Sequence, residues 1–381
     1  MTDDFKRKLE AYEKGELSES EMEEMEIELA KLETYYEFID HQESNQSSDM
    51  MNEKKQIKIL KRGKWKARFQ TSFTVFCIFI LITIASMFLT AIYYSWGKPD
   101  RVDVYRNIID YTLTVTDPYG YLGSTSTNAK PFFILEATRD LKKRIGDEVI
   151  GVGEMEVNYF FSLMGYPIEE YYGRTSQEQP SFIFPGEGED RIGDWNQLDK
   201  LPEGTVVSAY VSFSELLSSE EVFKLFKMKN MDIIWFAVHT GSEDDSIYEI
   251  GFPNTPIWHD DDMILESREE EKGIFGSSVI SELHSSPSYE EGDYEMLHTQ
   301  LLKTLTFLSE YEKKVDKLFF DKLELNDRLN YLKENGIENY GVVITGPTKE
   351  VLKLQDEEWI SNLEVDEVAY WNWEWDRSEE E

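Results

Sequence analysis

From Phe69 to Gly97 the chain runs for 29 residues without a charged side chain, and its centre, Phe73 to Tyr94, is almost wholly Phe, Ile, Leu, Val, Ala and Thr. About 20 apolar residues span a bilayer as a helix, so this window is long enough to cross with both ends at the interfaces. Trp65 on one side and Tyr93, Tyr94 and Trp96 on the other match the aromatic belts of membrane helices. A cleaved signal peptide has the same hydrophobicity but a short leader, and here 68 residues come first. The remaining competitor is a buried core helix.

The flanks of this window set its direction. Lys54, Lys55, Lys58, Lys61, Arg62, Lys64, Lys66 and Arg68 stand on the N-terminal side with no acid among them. On the other side Lys98, Arg101 and Arg106 are offset by Asp100, Asp103 and Asp110. Positive charge stays in the cytoplasm, so the expectation is a cytoplasmic N-terminus and an extracellular C-terminal domain in a single-pass cell-membrane protein. The basic collar would also lie on anionic headgroups, making the lipid bilayer itself a partner. The expected organisation is residues 1–50 as cytoplasmic helices, 51–68 as the collar, 69–97 as the transmembrane helix and 98–381 as the external domain.

Outside the collar the chain is strongly acidic. The whole carries 76 acidic against 39 basic residues, a net charge of −37. Such a chain is repelled by nucleic acid, so direct nucleic-acid binding is not expected, and basic protein surfaces are better partners. Cys77 is the one cysteine, inside the apolar window, which excludes a disulfide framework within the chain.

Residues 1–50 hold 16 acids and 5 bases. Phe5, Leu9 and Tyr12 fall at i, i+4 and i+7, one helical stripe. Gly15 can supply the left-handed residue that ends a helix, and Ser18 with Glu21 forms a capping-box pattern for a second helix. There Met22, Met25, Leu29, Leu32, Tyr36 and Ile39 repeat at alternating three- and four-residue steps, a coiled-coil-like seam. Two short helices bury little, so these stripes point to self-association or to docking on another, basic protein. His41 to Met51 reads as a tether.

The external region alternates in a way that suggests strands at Asp110–Thr116, Glu154–Phe161, Thr205–Phe213 and Met231–Val238. A helix fits after Ser218, where Glu221 completes a capping pattern and Val222, Leu225 and Phe226 form a stripe. Tyr294–Lys317 and Leu323–Glu334 read as amphipathic helices. A strand at Tyr340–Thr345, a turn at Gly346-Pro347, a helix at Thr348–Gln355 and a strand at Glu364–Trp373 follow. This order predicts an α+β domain, a mixed sheet covered by helices with a split β-α-β arrangement. Between Thr240 and Pro287 the pattern dissolves, and long loops are expected.

Catalytic and cofactor signals are weak. His259-Asp260-Asp261-Asp262 has the donors for a hard cation, but an acidic exposed loop accounts for it equally well. Gly346-Pro347-Thr348-Lys349 lacks the glycine spacing of a phosphate loop, and Gly151-x-Gly153 is no dinucleotide fingerprint. His239, His284 and His298 are scattered. Trp371, Trp373 and Trp375, at period two, would line one strand face. No catalytic residue, metal ligand or cofactor is expected, and the chain reads as a non-enzyme.

The run from Phe5 to Ser18, continuing through Leu32-Glu-Thr-Tyr-Tyr-Glu-Phe-Ile-Asp40, resembles the sigma-binding region of membrane-bound anti-sigma factors. Leu201-Pro-Glu-Gly-Thr205, Asn326 to Gly336, Tyr340-Gly-Val-Val-Ile-Thr-Gly-Pro-Thr-Lys-Glu350 and Val368-Ala-Tyr-Trp-Asn-Trp373 are similar to the external domain of the same family. This is the sigma-factor-regulator N-terminal/C-terminal domain family, and the nearest type is the anti-sigma-M factors of Gram-positive bacilli. The likeness is weakest over about 100–200 and 240–290. It implies an anti-sigma factor that sequesters an extracytoplasmic-function sigma factor at the membrane and represses an envelope-stress regulon. Many other anti-sigma domains hold zinc through His and Cys; with no Cys before the membrane, the zinc-free form is implied. Some members work with a second small membrane protein, for which the helix Phe73–Tyr94, with Ala85 and Ser86, is a docking surface, although no Gly-x-x-x-Gly motif is present. The expected sigma-factor contacts are Phe5, Leu9, Tyr12, Leu17, Met22, Met25, Leu29 and Leu32. The competing reading is an envelope-binding or structural membrane protein whose cytoplasmic helices only dimerise.

Overall fold

The computed structural model describes residues 3–42, 48–173, 180–187, 193–241, 248–272 and 278–374, which divide into two compact units, Met1–Ile82 and Thr83–Glu381.

In the N-terminal unit, α1 (Asp3–Lys14) and α2 (Glu19–Gln42) contact each other across a tight turn. Gly15 takes φ 71°, the left-handed conformation expected of it, and its N–H donates to Tyr12 O. The backbone N–H of Ser18 donates to Glu21 Oε2 at 3.0 Å, and Met22 N donates to Ser18 O at 2.9 Å, so α2 begins on the expected cap. Helix α3 (Ser48–Tyr94) starts before the basic collar and continues through it without a break. The expected tether at His41–Met51 is therefore partly helical, and its middle, residues 43–47, lies outside the described residues. The stretch Ile57–Tyr94 of α3 is long and apolar enough to cross a membrane.

The C-terminal unit is organised around two antiparallel sheets. Helix α4 (Arg101–Thr116) comes first, capped by Asp100, whose carboxylate accepts from Asp103 N at 2.8 Å. Half of this helix was expected as the strand Asp110–Thr116. Its threonines donate to carbonyls one turn back (Thr114 to Asp110, Thr116 to Thr112), and it is buried all round from Tyr111 to Val115. Alternation of β-branched residues imitates a strand when both sides are apolar, and here burial decides the conformation.

The first sheet comprises β1 (Thr125–Lys130), β2 (Ile134–Ile145), β3 (Glu148–Phe160), β4 (Leu163–Met164) and β5 (Ile168–Tyr171), with β4 and β5 both on β3. After α5 (Trp195–Lys200) the second sheet begins with β6 (Thr205–Ser218), α6 (Ser219–Phe226) and β7 (Asp232–Val238). The capping box of α6 forms as expected, with Val222 and Phe226 buried and Leu225 half-buried. The sheet is completed by β8 (Gly251–Pro253), β11 (Glu338–Pro347) and β12 (Ile360–Tyr370), in the order β12-β6-β11-β7-β8. Strands β6 and β7 run parallel with β11 antiparallel between them, and β11 and β12 flank β6 in the same way. This is a doubled split β-α-β of ferredoxin-like topology, its second crossover made by α10 (Thr348–Leu352) and a 3₁₀ turn. The expectation of a mixed sheet is corrected: every described pair of hydrogen-bonded neighbours is antiparallel, because each parallel pair is split by an inserted strand.

Between β7 and β11 stand β8, a hairpin of β9 (Ile264–Lys272) with β10 (Ser278–Ser285), and α7 (Tyr294–Glu310), α8 (Glu312–Phe319) and α9 (Leu325–Asn335). Most of Thr240–Pro287 was expected as loop. No apolar alternation marks the hairpin in the sequence, because Glu266, Glu269 and Glu270 occupy both faces of β9. One expected helix, Tyr294–Lys317, is two, parted at Tyr311. Strand β11 continues through Pro347, where a turn was expected, and α9 ends at Gly336 with φ 86°.

One face of the second sheet presents Val207, Ala209, Val211, Val342, Ile344 and Leu363 to a large core shared with α4, α6, α7, α8 and α9. Its other face, with Tyr210, Ile234, Trp235 and Val343, is covered by Tyr119 and Phe182. Charged ties join the two sheets on that side: Lys143 of β2 reaches Asp366 of β12 at 2.6 Å, and Arg144 reaches Asp232 at 2.6 Å.

Candidate functional site

The expected contact residues lie on α1, α2 and the turn between them. On α2, 3.6 residues per turn place Met22, Met25, Leu29, Leu32 and Tyr36 on one side, Tyr35 at its flank beside Leu32, and Ile27 on the opposite side. Met25 is buried at 3% exposure, the lowest value among the described residues of this unit. Phe5, Leu9, Tyr12, Leu17, Leu29 and Leu32 are half-buried, and Met22 is exposed. The two stripes thus share partial cover, and the Tyr12 hydroxyl donates to Glu26 Oε1 at 3.5 Å. Ile27, Tyr35 and Tyr36 remain 51%, 62% and 61% exposed. Sequence reasoning included Tyr36 in the seam but passed over Ile27 and Tyr35. Their only signal was being large and apolar outside the three- and four-residue spacing of the seam. The side chain of Ile39 lies outside the described residues. Around these side chains stand Glu19, Glu23, Glu24, Glu28, Glu33 and Glu37, all exposed. The arrangement offers apolar contacts framed by negative charge.

The residues singled out as weak chemical candidates are engaged in structure. Asp261 and Asp262 both hold Lys303 Nζ, at 2.7 and 2.6 Å. His259 stacks on Tyr111, and its Nε2 lies 2.9 Å from Thr304 Oγ1. His298 Nε2 meets Ser219 Oγ at 2.8 Å, and burial pushes the imidazole down to about 4. His239 Nε2 meets the Tyr331 hydroxyl at 2.7 Å. His284 lies on β10, 4.0 Å from Glu282. Lys349 Nζ donates to Asp199 O, and Thr348 is buried against Thr205. The tryptophans do not line one strand face: β12 stops at Tyr370, Trp371 is exposed, and Trp373 is buried with its indole N–H on Asn230. Trp375 lies outside the described residues. Gly151 and Gly153 are interior to β3, where Gly153 admits the backbone of Tyr171. Among the described residues no cluster of three or more His, Cys, Asp and Glu is placed to hold a metal.

The C-terminal unit carries a half-open cavity of about 540 Å³. Tyr119, Tyr171, Tyr248 and Phe319 supply aromatic walls, and Asp117, Lys143 and Glu169 supply charge. Burial pushes the Asp117 carboxyl up to about 6, against the opposing pull of the Tyr119 backbone N–H. The nearby Tyr119 hydroxyl donates to Asp366 at 2.7 Å.

Residues 57–150 match the family description "Sigma factor regulator N-terminal", and residues 198–367 match "Sigma factor regulator C-terminal". The chain belongs to the sigma factor regulator family. A probable anti-sigma-M factor of Bacillus subtilis (strain 168), YhdL, is 26% identical to it over 384 residues, covering 98% of this chain and all of that protein. No solved structure matches. The family is one of regulators, and among the described residues one helix, Ile57–Tyr94, is long and apolar enough for a membrane location.

The boundaries of the two matched segments are informative. The N-terminal one covers the apolar helix, α4, β1, β2 and the start of β3, so it joins the same compact unit as the C-terminal one from Thr83 onward. Lys143 and Asp366, which form the buried ion pair, come one from each segment. Neither segment reaches α1 or α2. For those helices the likeness rests on the full-length relative.

Proposed function

We propose that the chain is an anti-sigma factor which holds an extracytoplasmic-function sigma factor at the membrane and so represses an envelope-stress regulon. Residues 1–50 act in the cytoplasm, 51–68 rest on the headgroups, 69–97 cross the bilayer, and 98–381 lie outside the cell. Phe5, Leu9, Tyr12, Leu17, Met22, Met25, Leu29 and Leu32 form the contact stripe, and the mechanism is occlusion: a sigma factor held here is denied to RNA polymerase. The observation that carries this reading is the incompletely covered stripe of α1 and α2 within a ring of exposed glutamates. That ring also argues against the dimerising alternative, since two copies of α2 meeting face to face would bring like charges together. A partner with a basic surface would be steered towards it.

The test is binding of a purified extracytoplasmic-function sigma factor to the full chain in detergent, with two variants. Leu29→Asp places a charge in the half-buried stripe, and Met22→Asp places one at its exposed rim, where folding of the hairpin is not at stake. Both are expected to lose capture. Full binding by Met22→Asp and Leu29→Asp would remove this face from the account.

A further inference from the structure

One loop tip of the first sheet is fastened to α3 well before its C-terminal end, and a second is fastened to that tip and to the last residue of the helix. In the tip joining β1 to β2, Phe132 N donates to Ser86 Oγ at 2.6 Å and Phe133 N donates to Thr90 Oγ1 at 2.9 Å. In the tip joining β3 to β4, Phe161 N donates to Phe133 O at 3.0 Å. The Tyr94 hydroxyl lies 2.9 Å from Phe133 O and 3.1 Å from Phe161 O. Ser86 precedes Tyr94 by eight residues, which is about 12 Å along a helix at 1.5 Å per residue. Ser86 and Thr90 are buried by these contacts, so the small-residue surface at Ser86 is already covered from within the chain.

The tips present apolar side chains outward. Phe132, Phe160 and Leu163 are 44%, 52% and 69% exposed, alongside Phe88, Leu89 and Ile92 on the helix. Phe132, Phe133 and Phe161 all take positive φ, 65°, 61° and 53°, where aqueous turns favour glycine or asparagine. Charged groups in this part of the fold are Lys130, paired with Glu136, Arg101, over the Tyr93 ring and on the Tyr93 carbonyl, and Lys317, whose Nζ donates to Met164 O beside Leu163.

We propose that these two tips enter the bilayer leaflet next to the C-terminal unit, so that the membrane is held by the sheet as well as by the helix. The proposal rests on α3 crossing the membrane. Two observations favour it over a helix that sits lower and leaves the tips in water. Lowering the helix would leave Leu89, Ile92, Phe132, Phe160 and Leu163, all at least 44% exposed, in water. The N–H of Phe132, and the N–H and C=O of Phe133 and Phe161, are also engaged by Ser86, Thr90, Tyr94 and one another. Water needs no such help from side chains, whereas hydrocarbon demands that each N–H and C=O find an internal partner. Lys130 and Arg101, on flexible stems, then mark the headgroup level.

The experiment is site-directed spin labelling of the full chain in liposomes, in a Cys77→Ser background. Single labels go at Phe132, Leu163, Ile80 and Met228, the last 87% exposed. Collision with dissolved oxygen and with a water-soluble nickel chelate then reports depth. The expected result is that labels at Phe132 and Ile80 lose nickel contact and gain oxygen contact, Leu163 is intermediate, and Met228 stays fully nickel-accessible. Phe132 as nickel-accessible as Met228, with Ile80 still in lipid, would overturn the proposal alone. Ile80 in water would overturn the crossing helix on which it rests.

Discussion

Up to Ile82 the described residues bury one large apolar side chain, Met25, and leave Ile27, Tyr35 and Tyr36 open. From Thr83 onward the chain closes one large core around the second sheet, with Val207, Leu301 and Val342 at 0% exposure. Capping and turn chemistry therefore carry more of the N-terminal hairpin's stability, and burial carries the C-terminal unit. Unit size accounts for part of the contrast, because small segments bury a smaller share of their surface. The rest is composition: α2 places glutamate at many of its exposed positions, which keeps an uncompleted apolar surface soluble.

If this contrast is right, damage to one unit should leave the other's property intact. The largest effect is expected from Trp235→Ala. Trp235 is fully buried with its indole N–H on Thr114 O, and its loss should cost about 3–5 kcal/mol in denaturant unfolding of the C-terminal unit. Sigma-factor binding by the same variant should be unchanged. Leu29→Asp should do the converse, weakening capture by about 2–4 kcal/mol, the range of an interface hot spot, with the unfolding midpoint of the C-terminal unit unmoved.

A smaller effect sharpens the description of the buried charges. Asp117 titrates near 6 when folded against 3.8 when free, so its carboxyl is protonated more readily in the native state. The contribution is fully present below about 3.8 and is lost as pH rises through about 6. Asp117→Asn should remove that loss, raising stability at pH 7.5 by about 1–3 kcal/mol while changing nothing at pH 3.5. His298 acts in the opposite direction. Its imidazole is held near 4 against a free value of 6.5, so stability falls as pH drops from 6.5 through about 4. Chemical denaturation across this pH range reads both slopes. The smallest effect is kinetic: reversing Glu23, Glu24 and Glu28 to lysine should slow association about tenfold at low salt and far less at high salt, measured by stopped flow.

Much of the fold was legible because local signals agreed with one another. The charge-free window, the Gly15 stop, the caps at Ser18 and Ser218, and strands β6, β7 and β11 all appear where residue pattern and turn chemistry coincide. The misreadings fall where one signal is silent. Asp110–Thr116 alternates like a strand because a helix buried on every side has no polar face to betray its period. The β9–β10 hairpin is charged on both faces and has no period at all. Mixed and antiparallel sheets with the same element order differ only in which strand is inserted between which, information that resides in long-range pairing. At the candidate site the seam of α2 was readable from its heptad spacing. How far α1 covers that seam was not, since this depends on the angle of the turn at Gly15.

The central claim is that α1 and α2 hold a sigma factor. It is tested most directly by affinity capture from cell lysate on the full-length chain, with Leu29→Asp and Trp235→Ala run beside it and the bound proteins identified by mass spectrometry. One small sigma factor retained by the parent and by Trp235→Ala, and lost from Leu29→Asp, is the predicted result. A sigma factor retained equally by Leu29→Asp, or recovery of the chain alone, would contradict the account.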